Sequence, residues 1–354
     1  MSVLVLGIET SCDETAASVV DDARRVRSSV VASQIEIHRE YGGVVPEIAS
    51  REHEKRVIPV IDRALDDAGV ALGDIDAIAI GHRPGLIGSL LVGLSAAKGL
   101  AWALGIPIVG VDHIHAHLFA GALDADPPPM PGVGVVVSGG HSALYRMDSM
   151  TALTRLGGTI DDAIGEAYDK AASILGLPYP GGPEIDRLAQ DPDADDRAFD
   201  LPIARLSKDS LDLSYSGLKT ALLYLVRGKP TPPAVPGKPP LEPEPVPEMT
   251  GARRRDLAAS FQRAAVAALT LKLERALDRE GDARSLVVGG GVSANTLVRA
   301  EMGRIARARG VDLVLPQMRY CVDNAAMIAG LGALMIERGH TDDLDLSAVP
   351  TTAC

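Results

Sequence analysis

Val133-Gly134-Val135-Val136-Val137-Ser138-Gly139-Gly140-His141-Ser142-Ala143-Leu144-Tyr145 reads as an apolar strand, a tight glycine turn and a returning strand. A near-continuous aliphatic run suits a strand covered on both faces, and paired glycines suit a turn with no room for side chains. The chain opens with the same grammar: Val3-Leu4-Val5-Leu6-Gly7-Ile8, the turn Glu9-Thr10-Ser11-Cys12-Asp13-Glu14-Thr15, and a second strand through Val19-Val20. A unit that recurs within one chain suggests duplication, with a single ligand site in the cleft between two related halves. Working outward, an amphipathic helix is predicted from about Pro46, with Val57, Val60, Ile61, Ala64 and Leu65 on its apolar face. Strand Ile75 to Ile80, the turn His82-Arg83-Pro84-Gly85, helix Ser89 to Leu104 and strand Ile106 to Val111 follow. Near the other end, Ser285 to Val288 leads into Gly289-Gly290-Gly291 and a helix, and Leu313-Val314-Leu315 precedes Asp323 and a last helix from Ala325. Strands alternating with helices predict α/β layers.

The 354 residues suffice for two domains with large cores. The apolar fraction of 46% contains only three Phe and one Trp, which suits packed strands and Ala-rich helices better than a base-stacking surface. Cys12, Cys321 and Cys354 are scattered and odd in number, so a reducing compartment is expected and a disulfide framework is not. No basic region, apolar core and cleavage site precede the first strand, so no secretory signal is expected. Leu86 to Val111 is interrupted by Lys98, Gly99, Gly105 and Pro107, and reads as a core helix and a strand instead of a membrane span. The net charge of −12 argues against a dedicated nucleic-acid binder. Arg24-Arg25-Val26-Arg27, Arg51 to Arg56, Arg253-Arg254-Arg255 and Arg299 to Arg309 read as solvated helix faces. Any nucleic-acid contact would use a local patch or a partner's surface. Residues 228–248 hold nine prolines and are expected to form an extended, disordered surface insertion.

Three of the eight histidines fall in Asp112-His113-Ile114-His115-Ala116-His117. On a helix His113 and His117 share a face at chelating distance, and on a strand all three do. Spacing alone leaves two readings open: a metal pair, or a helix start whose histidines bond to loops. Asp323 likewise reads as a helix cap or as a carboxylate ligand joining the two histidines. Ser138-Gly139-Gly140, Pro180-Gly181-Gly182-Pro183 and Gly289-Gly290-Gly291 each allow backbone N–H groups to approach an anion, and together they favour a nucleotide or acyl-phosphate ligand. Neither a P-loop nor a Rossmann fingerprint is present. Asp13 and Glu14 sit on the first turn, and Asp162, Glu166, Asp169 and Lys170 are predicted to share one helical face.

GIETSCDETAASVV, YGGVVPEIASREH, PGLIGSLLVGLSAAKGLA, VVSGGHSAL, IDDAIGEAYDKAA, LGLPYPGGP, SYSGLKTA and GGGVSAN occur here in unbroken order. Together they resemble the tRNA N6-adenosine threonylcarbamoyltransferase family, long mislabelled O-sialoglycoprotein endopeptidases. The likeness covers nearly the whole chain apart from the proline-rich insertion and a short tail after about Gly339. It implies a fold like actin, sugar kinases and the heat-shock chaperone ATPases, with two related halves around a cleft. The halves are expected at 1–111, with a C-terminal helix at 325–345 packing back on it, and at 112–324.

The resemblance also implies an activity: transfer of the threonylcarbamoyl group from threonylcarbamoyl-AMP to N6 of the adenosine beside the anticodon, in tRNAs reading ANN codons. One divalent metal is implied on His113, His117 and Asp323, usually iron, with zinc or magnesium as alternatives. Substrate-binding positions fall on Val136, Val137, Ser138, Gly139, Gly140, Asp169, Gly182 and Asn295, with Asp186 as a further candidate. Asp13, Glu14 and His141 are the candidate acid/base groups. A degenerate paralogue subunit and a P-loop ATPase subunit are the implied partners, no membrane is, and the location is cytoplasmic. Three residues depart from the family pattern: His115 stands where many relatives carry Glu, Arg83 replaces a turn glycine, and Ala325 a glycine after Asp-Asn. His115 could be a third ligand or support one. A metallopeptidase and a non-catalytic nucleotide-dependent scaffold are the alternatives; the first lacks an H-E-x-x-H motif.

Overall fold

Aliphatic runs bounded by turns become the strands of two sheets in a computed structural model that describes residues 3–230 and 247–351. Most of the proline-rich stretch, and Cys354, lie outside the described residues. β1 (Leu4–Glu9), β2 (Glu14–Asp21), β3 (Arg25–Ser33), β4 (Ala77–Arg83) and β5 (Ile108–Asp112) form a five-stranded sheet in the order β3-β2-β1-β4-β5. β6 (Gly132–Val137), β7 (Ser142–Ser149), β8 (Ala152–Gly158), β9 (Ser285–Gly289) and β10 (Asp312–Val314) form the second, in the order β8-β7-β6-β9-β10. In each sheet the first strand pairs antiparallel with the second and parallel with the fourth; the second and third are antiparallel, the fourth and fifth parallel. The sheets repeat one topology, as the two strand–turn–strand units led us to expect.

The helices are α1 (Ile35–Arg39), α2 (Pro46–Ala68), α3 (Ile87–Leu104), α4 (His113–Phe119) and α5 (Ile164–Ile174). They continue with α6 (Gly181–Ala189), α7 (Ser216–Arg227), α8 (Gly251–Arg279), α9 (Thr296–Arg309) and α10 (Ala325–Glu337). α2 starts at Pro46, where a missing N–H does no harm, and stops at Gly69 in the left-handed conformation, φ 67°. Its buried residues include all five of the predicted stripe. α2 and α3 cover the face of the first sheet that presents Leu6, Ile8, Ile78 and Ile80. The alternate residues Val5, Ala77 and Ala79 meet α10 on the opposite face, as a period of two requires. α3 is long and apolar enough to cross a membrane by length and composition, and here it packs against α2 and β4. α8 runs through the core of the second half, burying Leu257, Phe261, Leu269 and Leu273 against β6, β9 and α5.

Several elements differ from expectation. Arg24 to Arg27 do not lie on a helix: residues from Arg25 form edge strand β3, whose inward positions alternate with exposed ones, and Arg27 pairs with Asp21 at 2.5 Å. The other three basic clusters do lie on helices, α2, α8 and α9. β4 continues through His82 and Arg83, which reads as a turn in sequence, because Arg83 sits opposite Asp112 of β5. The last helix ends at Glu337; beyond Gly339 (φ 80°) the chain runs back along β5, where Asp342 N donates to Ile108 O at 2.8 Å.

α10 approaches β1 so closely that a Cβ on Gly7 would lie 2.4 Å from Ala325 O and 2.7 Å from Ala329 Cβ. Gly7→Ala therefore pushes the helix off the strand, and overpacking of this kind costs about 1–3 kcal/mol. Urea unfolding of this variant should show a lower midpoint at unchanged slope. A wild-type midpoint would contradict the close packing.

Candidate functional site

β5 ends on Asp112, and the same residue starts α4. Its Oδ1 accepts from Ile114 N at 2.9 Å and His115 N at 3.3 Å, while Arg83 Nε donates to Oδ2 at 3.1 Å. Arg83, which departs from the family's turn, thus anchors the cap of the histidine helix. The helix stacks His113 and His117 on one face, ring centroids 4.6 Å apart and nearly perpendicular. Asp323 meets them from the loop before α10: its Oδ1 is 3.2 Å from His117 Nε2 and 3.5 Å from His113 Nε2. One ligand atom from each of the three lies within 4.8 Å of the others. Asn324, not Asp323, caps α10 by accepting from Met327 N at 3.0 Å, so the capping alternative for Asp323 falls away. His117 Nδ1 is buried without a hydrogen-bond partner among the described residues, and Asp323 Oδ1 is what its Nε2 faces. Two imidazole nitrogens converging on one carboxylate fit a divalent metal bound with open positions. His115 turns to the other side of the helix, where its ring stands edge-on to Tyr145 at 5.8 Å, so it is no third member of the group.

Charge at the trio is shaped by burial and by the neighbours. Burial raises the Asp323 carboxyl, but the two imidazoles outweigh it and hold the group well below the ordinary carboxylate range. Burial lowers His113, yet Glu9 and Asp323 outweigh it and raise the ring well above its ordinary value. For His117 burial wins and the ring is lowered.

The trio borders a cleft of about 1110 Å³, with His113 and Asp323 on its wall and His117 fully buried. The β1–β2 turn contributes Ser11 to Glu14, and the corresponding β6–β7 turn contributes Ser138 to His141. Equivalent turns of the two repeats therefore face one cavity. Ser138 N donates to His141 O at 2.8 Å and Gly165 N to Ser138 O at 3.2 Å, fixing the second turn, while the amides of Gly139 and Gly140 donate to no group among the described residues. Burial and the imidazoles of His113 and His117 push His141 down to about 4. Burial, then Asp13 and Asp323, push Glu14 up to about 8, and burial raises Asp13.

Other candidates sit elsewhere or are already engaged. Val136 and Val137 have fully buried side chains, which leaves only their main chain for a ligand. Asp169 lines the cleft, and its Oδ1 accepts from Gly181 N at 2.7 Å at the start of α6. Asp162 precedes α5 instead of lying on it, but still pairs with Lys170 at 2.5 Å and Lys219 at 2.9 Å. Gly182, Asp186 and Asn295 are not on the described cavity wall. Asp186 accepts from Gln262 Nε2 at 3.0 Å and Thr296 Oγ1 at 2.6 Å, while Asn295 donates to Gln262 Oε1 at 2.8 Å and caps α9 through Val298 N. Sequence reasoning passed over Glu9, a fully buried carboxylate 3.1 Å from His113 Nδ1. Its only signal is an acid closing an otherwise aliphatic strand.

Protein dialysed against buffered zinc or iron(II) should retain one ion per chain by elemental mass spectrometry, and His117→Ala and Asp323→Ala should lose it with circular dichroism unchanged. Full retention in both variants would remove the trio as a metal centre.

The sequence description of the tRNA N6-adenosine threonylcarbamoyltransferase family matches residues 25–330. A tRNA N6-adenosine threonylcarbamoyltransferase of Trichlorobacter lovleyi is 50% identical over 348 residues, covering 98% of this chain and 96% of that one. One of Sorangium cellulosum is 48% identical over 362 residues, covering 99% and 96%. Among solved structures, HypF of T. kodakarensis aligns with a TM-score of 0.55 at 15% identity, covering 95% of this chain and 48% of that one. Component A of the Acidaminococcus fermentans (R)-2-hydroxyglutaryl-CoA dehydratase aligns with a TM-score of 0.51 at 13% identity, covering 95% and 99%. These two likenesses concern the fold alone, and they agree with two related actin-like halves. By sequence, the chain belongs to the tRNA N6-adenosine threonylcarbamoyltransferase family, the transferases of tRNA threonylcarbamoyladenosine formation.

Proposed function

We propose that the chain transfers the threonylcarbamoyl group of threonylcarbamoyl-AMP to N6 of the adenosine beside the anticodon, in tRNAs reading ANN codons. The observation that carries this reading is the meeting of His113, His117 and Asp323 with the unengaged amides of Gly139 and Gly140 around one cleft. The family resemblance gives iron as the metal, with zinc or magnesium as alternatives; when bound, it supplies a Lewis acid for the oxygen-rich acyl-adenylate. Gly139 and Gly140 offer N–H donors to the phosphate from a turn on the cleft wall. A cleft of about 1110 Å³ exceeds what an adenylate fills and leaves room for an incoming nucleoside, since small-molecule pockets run to roughly 300–1,000 Å³.

In the proposed step the adenosine N6 attacks the carbamoyl carbon and a new C–N bond forms. The bond from that carbon to the phosphate oxygen breaks, and AMP leaves with the electron pair. One proton must leave the attacking nitrogen. His141 is neutral near pH 7 with its value down to about 4, so it lies in the form that accepts a proton. Glu14, pushed up to about 8, is in the form that donates. Asp13 stands next to it in the same turn. Gly182, Asp186 and Asn295 enter this reading through the family resemblance alone. A metallopeptidase is disfavoured by the lack of an H-E-x-x-H motif; the acid in contact with His113, Glu9, is buried on its Nδ1 side. A degenerate paralogue subunit and a P-loop ATPase subunit complete the reading, with a cytoplasmic location supported by the free thiols of Cys12 and Cys321.

The test is a nucleoside assay by mass spectrometry with metal-loaded protein, its partners, unmodified tRNA and threonylcarbamoyl-AMP. Wild type should yield threonylcarbamoyladenosine and His113→Ala should not. His141→Ala should retain its metal and lower kcat, toward the low end of the roughly 10²–10⁴-fold worth of a general base, since a group lowered to about 4 is a weak base near pH 7. No product from metal-loaded wild type with all partners present would overturn the reading.

A further inference from the structure

We propose that Glu9 is the positioning residue of the metal centre: its carboxylate fixes the proton of His113 on Nδ1 and so presents Nε2 to the metal. The proposal rests on the reading of His113, His117 and Asp323 as ligands. Glu9 is the last residue of β1 and is fully buried. Its Oε1 accepts from Ser11 N at 2.6 Å, and its Oε2 lies 3.1 Å from His113 Nδ1. Among the described residues no Lys or Arg forms an ion pair with it. A buried carboxylate without a cation or hydrogen-bond donors is strongly unfavourable, so the imidazole N–H and the Ser11 amide are what make it tolerable here.

The neighbouring strand is shaped for the same group. A Cβ on Gly81 of β4 would lie 2.3 Å from Glu9 Oε2, so the bare backbone there leaves the space the carboxylate occupies. Nδ1 lies 3.1 Å from Glu9 Oε2 and 3.2 Å from Ser11 Oγ, of which the carboxylate is the stronger acceptor, and the other nitrogen, Nε2, is the one that faces Asp323 at 3.5 Å. Carboxylates behind metal-bound histidines set the tautomer, hold the ring plane and raise ligand basicity. His117 has no such support among the described residues, where its Nδ1 is without a partner. The centre is therefore asymmetric: one imidazole is held ready by the first sheet, and the other is placed by helix packing alone.

The test is the zinc dissociation constant, measured on the full chain by competition with a chromophoric chelator. Glu9→Leu, similar in size and apolar, should bind zinc about 10–100-fold more weakly, the usual loss when such a partner is removed. Glu9→Gln keeps one carbonyl oxygen for two donors, Ser11 N–H and Nδ1–H, and should bind zinc more weakly than wild type but more tightly than Glu9→Leu. In a His113→Ala background, Glu9→Leu should change nothing further, which a general loss of stability would not reproduce. Wild-type affinity in Glu9→Leu, or an undiminished effect in the His113→Ala background, would overturn the proposal. If Glu9→Leu does not fold, Gly81→Ala, which displaces the carboxylate without removing it, takes its place: weaker zinc binding only when His113 is present supports the assignment, and unchanged binding overturns it. Wild-type protein that binds no zinc or iron would overturn the metal reading as well, an outcome distinct from equal binding by wild type and Glu9→Leu.

Discussion

The cleft depends on a seven-residue helix that both sheets hold in place. α4 begins where β5 stops, capped by Asp112, and its far side fits against the second sheet: a Cβ on Gly289 of β9 would lie 2.1 Å from His117 O. Ile114, Leu118 and Phe119 of α4 enter a core that also contains Val5 and Ala79 of the first sheet, Val136 and Val287 of the second, and Ala326 and Met327 of α10. That core is the seam between the halves. Both histidines ride on α4, and Asp323 stands two residues before α10, so all three candidate ligands belong to elements packed in the seam. Burying two imidazoles and a carboxylate is unfavourable on its own. Apolar packing around them offsets the cost and fixes their mutual geometry before any ion arrives.

Duplication explains how one scaffold supplies two kinds of chemistry. The turns after β1 and β6 occupy equivalent places in identical topologies, and both open onto the same cavity. The first carries Cys12, Asp13 and Glu14, groups that hold or move protons. The second carries Gly139 and Gly140, which present only backbone, beside the imidazole of His141. A turn placed by a buried strand pair can change its residues without disturbing the sheet, so the halves diverged where the ligand is met and stayed alike where they pack.

What could be read from sequence follows from which contacts are local. Strand–turn–strand units, the α2 stripe and the pairing of His113 with His117 rest on periods of two, three and four residues, and all appear in the structure. β3 and β8 were missed because edge strands with Arg, Ser and Thr on the open side lack an aliphatic signature. The Arg83–Asp112 pair spans 29 positions and the Glu9–His113 contact 104, so neither leaves a trace in local spacing. Asp323 and Asn324 are equally good caps by type. The choice between them is made by α10 lying on β1, which turns Asn324 to the helix and Asp323 to the histidines.

Charge sets the terms on which such a cleft could meet RNA. The chain carries −12, and two of its cleft-lining cations are already committed: Lys170 pairs with Asp162 and Glu166, at 2.5 and 2.7 Å, and Lys219 pairs with Asp162 at 2.9 Å. Of the cleft-lining Lys and Arg, that leaves Arg227, at the end of α7, without an ion pair among the described residues. Non-specific RNA affinity comes chiefly from phosphates neutralised by Lys and Arg, and one free guanidinium supplies little of it. For the proposed reaction, most of the grip on a tRNA would then come from basic patches outside the cleft or from the surface of the proposed partner subunits. This chain's own contribution is the placement of a donor, a metal and a proton acceptor around one nucleoside. That division of labour lets the cleft keep the acidic and imidazole groups its chemistry needs, which a phosphate-binding surface of its own would have to displace.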